Sequence, residues 1–259
     1  MMLLTIDAGN TNITLGVFDD DKLTSTFRIT TKEKRTSDEY KILFYNLLHS
    51  EHINPHDINE VIISSVVPNI MHSLVNSIKK LFSVHPLIVG PGIKTGIAIN
   101  AENPKEVGAD RIVNVTAAFN KYKKACLVID FGTATTFDYV SEKGVFEYTV
   151  ITPGIEIAGN ALSTNAAKLP AIEIKLPKTI LTKNTISGMQ AGLMYGYLGQ
   201  VEYIVKKMKE EIGNDMLVIS TGGLGREIAN NTDTINVYER DLAFYGMKII
   251  HDRTKESQK

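Results

Sequence analysis

The chain of 259 residues has a single cysteine, Cys126. One thiol can build neither an internal disulfide nor a cysteine-based zinc site, and its place at the head of an apolar run reads as reduced core. Charge of one sign is also missing. Lys and Arg total 28 against 29 Asp and Glu, which leaves no global bias toward nucleic acid or an anionic membrane. The opening residues carry no basic stretch, and Asp7 interrupts the first apolar run, so no signal peptide is expected and the chain is assigned to the cytoplasm. Long apolar runs are scarce. Asn184–Val201 comes nearest, with no charge over 18 residues. It holds Asn184 and Gln190, with Gly188, Gly192, Gly196 and Gly199 at helical spacing on one face. That pattern predicts a closely packed interior or dimer-seam helix rather than a membrane span.

What is present is an ordinary globular composition, 43% hydrophobic and 22% charged, with length for one large domain or two of common size. Its organising feature is a repeat. Leu3–Asp19 reads LLTIDAGNTNITLGVFD and Leu127–Tyr139 reads LVIDFGTATTFDY. Each copy is an apolar strand, then Asp-x-Gly, a patch of small polar residues, and a second β-prone run. Each continues through a polar turn into a third β-prone run, Leu23–Ile29 and Val145–Ile151. One recurrence near half the chain length indicates a duplicated domain, not a solenoid. Asp7 and Asp130 would each present a carboxylate at a sheet edge. Gly lets backbone N–H groups approach a ligand, and Thr and Asn add donors. Such donors cradle phosphate while a bare carboxylate repels it, so the two aspartates make sense with cations between them and the phosphates.

Elsewhere strands alternate with helices, which implies an α/β fold with a largely parallel sheet beyond the hairpins. Thr36–His49 reads as a helix capped by Ser37, Ile70–Phe82 as an amphipathic helix, and Val61–Val67 as a buried strand stopped by Pro68. Ile157–Thr164 is expected to be helical and Pro170–Pro177 extended. Thr185 is a candidate cap for the glycine-faced helix. Met216–Ser220 is a strand delivering Thr221-Gly222-Gly223, a turn that permits flat approach of a ligand to backbone. Arg240–His251 reads as a last helix and Asp252–Lys259 as a frayed polar tail. In Asn103–Asn114, Pro104 and Gly108 frame a loop, and Asp110 and Arg111 open a helix. An acid there suits the helix dipole in any protein. It equally suits a carboxylate base beside a guanidinium that grips an anionic substrate.

The duplicated hairpins and the late Gly-Gly turn resemble the fold shared by sugar kinases, acetate kinase, actin and heat-shock chaperone ATPases. DAGNTN at Asp7–Asn12, SSVVP at Ser64–Pro68, GADR at Gly108–Arg111, DFGTATTFD at Asp130–Asp138 and the NT…GMQAG run at Asn184–Gly192 together resemble type III pantothenate kinase over essentially the whole chain. The resemblance implies two duplicated actin-like ATPase domains of ribonuclease H-like type, 1–117 and 118–245. Each would be a mixed five-stranded sheet with helices, the active-site cleft would lie between them, and a helix at about 246–259 would pack back onto the first.

It further implies transfer of the ATP γ-phosphoryl group to the primary hydroxyl of pantothenate, the first committed step toward coenzyme A. Asp110 would be the base, and Gly108, Ala109, Asp110 and Arg111 would meet pantothenate, with Thr185 touching it from the second domain near a homodimer interface. Asp7, Ala8, Gly9, Asn10, Thr11, Asn12, Ile13 and Thr14 would wrap the ATP phosphates, Asp7 acting through Mg²⁺. Thr133, Gly222 and Gly223 would complete the nucleotide contacts, and Asp130 would hold a monovalent cation, K⁺ or NH₄⁺. Relatives often carry an aromatic residue where this chain has Ala101, so the acceptor pocket is expected to be looser, or filled by Tyr195, Tyr197 or a partner chain. A kinase of another small hydroxylated acid, an inactive regulatory relative and a chaperone-like or actin-like ATPase module are the rival readings.

Overall fold

The computed structural model describes residues 2–31, 34–213 and 215–257, and its chain divides into two compact units, 1–121 with 241–259, and 122–240. In the first, β1 (Met2–Ala8), β2 (Asn12–Asp19) and β3 (Lys22–Thr30) form an antiparallel meander. Helix α1 (Ser37–Ser50) follows, then β4 (Ile58–Ser65), which runs parallel to β1. Helix α2 (Pro68–Phe82) leads to β5 (Leu87–Ile88), parallel to β4. The order is β3-β2-β1-β4-β5. A two-residue strand β6 (Ala98–Ile99) precedes α3 (Ala109–Tyr122).

Period-2 alternation divides this sheet's residues between two cores. Leu4, Ile6, Ala8, Ile13, Leu15, Val61 and Ile63 pack against Tyr40, Phe44 and Leu48 of α1 and Leu74 and Ile78 of α2. Leu3, Phe18 and Ile62 pack on the opposite side with Val113 of α3. Asp7 and Ser64 keep step with Leu3 and Ile62 along their strands, and therefore sit on the α3 side of the sheet.

The second unit repeats the plan. Strands β7 (Cys126–Phe131), β8 (Ala134–Val140) and β9 (Val145–Pro153) form an antiparallel meander, as the duplicated motif predicts. Helices α4 (Ile155–Asn165) and α5 (Thr185–Ile212) precede β10 (Leu217–Gly222), which is parallel to β7. After the short α6 (Gly225–Ala229), β11 (Val237–Tyr238) pairs parallel with β10. Among this unit's own strands the order, read from the meander edge, is β9-β8-β7-β10-β11, which matches that of the first unit strand for strand. Leu127, Ile129, Phe131, Phe137 and Tyr139 bury against Met194, Leu198, Val201 and Val205 of α5, so Asp130 projects from the other face of β7.

The last helix, α7 (Leu242–Glu256), belongs to the first unit. Phe244, Met247 and Ile250 complete the core that Val113 of α3 shares. Gly246 lies so close to α3 that a Cβ would collide with the Val113 carbonyl, and only a residue without a side chain fits. The polar tail expected after His251 is helical as far as Glu256. Lys248 bridges Asp21 and Asp252 at 2.8 and 2.7 Å, and His251 Nε2 meets Glu60 at 2.8 Å. These pairings give the tail's residues a reason to stay in register. Residues 258–259 lie outside the described residues.

Two caps differ from expectation. Helix α1 is capped by Thr36, not Ser37, through a capping box: Thr36 Oγ1 accepts the Glu39 N–H at 3.3 Å and Glu39 Oε2 accepts the Thr36 N–H at 2.6 Å. Helix α5 is capped by Asn184, whose Oδ1 accepts the Ser187 N–H at 3.0 Å. Thr185 is instead the first helical residue, and exposed.

Candidate active site

In the first unit the site grows from the ends of β1 and β4. Asp7 and Ser64 are register partners at the carboxyl ends of adjacent parallel strands, where α/β sheets open toward ligands. The turn after Asp7 is tied on three sides. Gly9 N–H donates to the Asn12 carbonyl at 3.0 Å, Thr31 Oγ1 donates to the Gly9 carbonyl at 2.8 Å, and Val66 N–H donates to the Ala8 carbonyl at 3.1 Å. Thr31 N–H adds a bond to the Thr11 carbonyl at 2.9 Å. The loop that would cradle phosphate is thus held mainly by its carbonyls, with the Gly9 N–H already spent on Asn12. The side chains of Ala8 and Ile13 are buried in the core, so those two can meet a ligand only through backbone.

Asp110 reaches the same place from α3. Its Oδ1 accepts the Arg111 N–H at 2.8 Å, which curls the carboxylate back over the helix start. A Cβ on Gly108 would lie 2.5 Å from that oxygen and 3.4 Å from Val66, so glycine makes room for the carboxylate's position. Asp110 is close enough to act on Asp7. The Asp7 carboxyl is pushed up to about 7, first by burial and then by the negative charge of Asp110, while the Ser64 hydroxyl pulls the other way. Ser64 Oγ is buried and makes no hydrogen bond of ordinary geometry, yet it faces the carboxyl closely enough to favour its charged form. Two converging carboxylates are unstable as a doubly ionised pair and call for a proton or a cation. Among the described residues no three His, Cys, Asp or Glu side chains gather as a metal cage. The pair fits Mg²⁺, which keeps much of its shell from water and phosphate and needs only one or two protein carboxylates.

The second unit places Asp130, Thr133, Gly222 and Gly223 at the equivalent strand ends. Asp130 pairs with Thr136 of β8 and Thr221 of β10. Gly222 has φ +86, and a Cβ there would lie 2.7 Å from Asp130 Oδ1 and 2.6 Å from the Phe131 carbonyl oxygen. Glycine therefore lets the backbone pass close to the Asp130 carboxylate and the Phe131 carbonyl, oxygens of the kind that ligate hard cations. The Thr133 carbonyl accepts the Gly154 N–H at 3.1 Å, which anchors the exposed Gly132-Thr133 turn. Asp138, buried on β8, accepts hydroxyl bonds from Thr136 at 2.9 Å and Thr149 at 2.8 Å.

Sequence reasoning gave no role to Ser64, Thr31 or Gly154. The one available signal was Ser64's position in the SSVVP run at the end of a buried strand. The two rings considered in place of an aromatic at Ala101 both have their hydroxyls engaged within the second unit. Tyr197 is buried with its hydroxyl bonded to Thr135, and Tyr195 donates to the Pro177 carbonyl at 3.2 Å. The glycine face of α5 is not interior either: Gly192, Gly196 and Gly199 are exposed, with nothing within 4 Å of an added Cβ.

A family model for type III pantothenate kinase matches residues 3–207. The chain belongs to that family. It is 54% identical over 251 residues to a type III pantothenate kinase of Agathobacter rectalis, covering 96% of both chains. It is 52% identical to one from Syntrophus aciditrophicus, covering 97% of this chain and 99% of that one. Among solved structures, a Campylobacter jejuni protein described as a Baf family transcriptional activator aligns with TM-score 0.60 at 20% identity, covering 98% and 99% of the two chains. Structural neighbours also include proteins of the actin-like ATPase and sugar kinase fold, and the duplicated sheets of this family member are that fold.

Proposed function

We propose that the chain phosphorylates the primary hydroxyl of pantothenate with ATP, the entry step to coenzyme A, in the cytoplasm. The observation that carries this reading is the approach of Asp110 to Asp7 at the strand ends of one unit, in a chain 54% identical to a curated pantothenate kinase. Phosphoryl transfer asks for positioning and charge neutralisation more than covalent help. Asp110 takes the acceptor hydroxyl's proton as the oxygen attacks, and Arg111 pairs with the acceptor's carboxylate. The turn from Gly9 to Asn12, with Thr14, presents N–H and hydroxyl donors to the phosphates, and Thr133, Gly222 and Gly223 do so from the second unit. Mg²⁺ carried by Asp7 would neutralise phosphate charge, and a K⁺ or NH₄⁺ ion at Asp130 would supply further positive charge. Thr185 donates to pantothenate from the start of α5.

The exposed stripe Gly192, Gly196 and Gly199 continues at helical spacing into Tyr203, which is 62% exposed, and it supports a homodimer built along α5. The neutral overall charge supports neither a nucleic-acid nor a membrane partner. The deciding assay is turnover of pantothenate with ATP, Mg²⁺ and K⁺, with Na⁺ as control and a panel of other hydroxy acids alongside. Turnover of another acid but not of pantothenate would reject the substrate, and no turnover of any would favour a regulatory protein.

A further inference from the structure

Between α4 and α5 the chain runs through residues 166–184 without regular structure, an unusual length for a connection inside a compact unit. Its middle, Ile172-Glu173-Ile174-Lys175-Leu176-Pro177, alternates apolar and polar like a strand. Ile174 and Leu176 indeed pack on the second unit's core. This run, however, joins no sheet, so its backbone groups need other partners. Two side chains of α5 supply them. Gln190 Nε2 donates to the Glu173 carbonyl at 2.9 Å, and Tyr195 Oη donates to the Pro177 carbonyl at 3.2 Å. Gln190 is only 6% exposed, so an amide has been buried on a core helix with that carbonyl as its acceptor, at a position where leucine would bury more cheaply.

The consequence falls on the next few residues. After Pro177 the chain has only Lys178–Lys183 before Asn184 caps α5 and Thr185 opens it. This short stretch is exposed, with Leu181 at 82%. Its own order comes from a Thr179 hydroxyl that accepts the Leu181 N–H at 3.2 Å, and Thr182 Oγ1 lies beside Gly188, 3.4 Å from where a Cβ would be. The loop therefore inherits its place from its two anchored ends. It carries Thr179 and Thr182 together with Lys178 and Lys183 and ends beside Thr185, hydroxyls and ammonium groups suited to a hydroxylated carboxylic acid.

We infer that Gln190 and Tyr195 are positioning residues for acceptor binding: by holding the 172–177 run to α5 they set the 178–183 loop, so that its hydroxyl and ammonium groups stand beside Thr185 at the helix start. This rests on the proposed role of Thr185 in pantothenate binding. Neither residue touches substrate, and neither acts on the nucleotide.

The test compares wild type with Gln190→Met, which keeps length without the donor, Tyr195→Phe, which keeps the ring without the hydroxyl, and the double variant. Steady-state kinetics would be run against pantothenate and against ATP, with amide hydrogen exchange read over residues 172–185. The double variant should raise KM for pantothenate about tenfold, the effect of losing about one hydrogen bond's worth of positioning. Its kcat and KM for ATP should stay within about twofold of wild type, and exchange over 172–185 should accelerate. Unchanged KM for pantothenate with faster exchange would overturn the inference while leaving the proposed function intact. Equal rises in both KM values with a lowered melting temperature would also overturn it, since that marks a general loss of the second unit's packing. A wild-type protein inert toward pantothenate would instead remove the function itself, and this role with it.

Discussion

Gly222 stands with its Cα against Asp130, so that any side chain would enter within 2.7 Å of the carboxylate oxygen. The backbone there, at φ +86, also disfavours every residue with a Cβ. Gly222→Ala should lower stability by about 1–3 kcal/mol and displace the carboxylate. Activation by K⁺ should weaken more than the thermal midpoint alone explains. Titrating K⁺ against activity at a temperature where the variant is fully folded checks this, and an unchanged activation curve would clear Asp130 of the cation role.

Asp110→Asn removes the proton acceptor and keeps the shape. Turnover should fall by about 10²–10⁴-fold, while ATP binding measured by calorimetry persists. Wild-type-like turnover would show that the alcohol needs no carboxylate here. The same variant removes a negative neighbour from Asp7, whose carboxyl should then titrate below its present value of about 7.

Because the folded Asp7 holds its proton up to about pH 7 and an unfolded one only to about 4, the folded state binds more protons between those values. Raising the pH through that window must therefore weaken the fold. Relative to Asp7→Asn, the wild type should lose on the order of 2 kcal/mol between pH 4 and 8, a figure reduced for partial solvent screening. Urea midpoints of the two proteins across this range give the comparison. Parallel curves would mean that the burial and repulsion at Asp7 are relieved by some other group.

Thr36→Ala deletes one half of the box that starts α1. A loss of about 1 kcal/mol is expected, with kinetic constants unchanged because the cap is exposed and α1 packs on the sheet face opposite the one that carries Asp7 and Ser64. Denaturant unfolding measures the first and steady-state rates the second.

The twofold plan was legible because Asp-x-Gly followed by small polar residues is a local pattern, and its second copy brings matching strands with it. Asp7 and Asp130 stood out as the acids of that pattern, and Asp110 as the acid that opens a helix after Gly108. What the sequence hid was set by contacts between distant segments. Ser64 gained meaning only when β4 aligned with β1 and alternation turned it to the same face as Asp7. The run from Ile172 to Pro177 has a strand's alternation, but no strand lies beside it to complete a ladder, and side chains of a later helix take that place. Cap choice at α1 and α5 was off by one residue, since Thr-Ser and Asn-Thr offer two competent caps in a row. Spacing alone also could not say whether the α5 glycines face inward or outward.

Helix α7 supplies Phe244, Met247 and Ile250 to a core whose other members come from the first half of the chain. The ribosome makes residues 241–259 only after the whole of the middle section. The middle section, continuous from 122 to 240, can finish folding while the earlier-made section still waits with Phe18 and Ile62 uncovered. Order of synthesis and order of completion are thereby reversed, and the nascent N-terminal half is the part with most need of chaperone shelter.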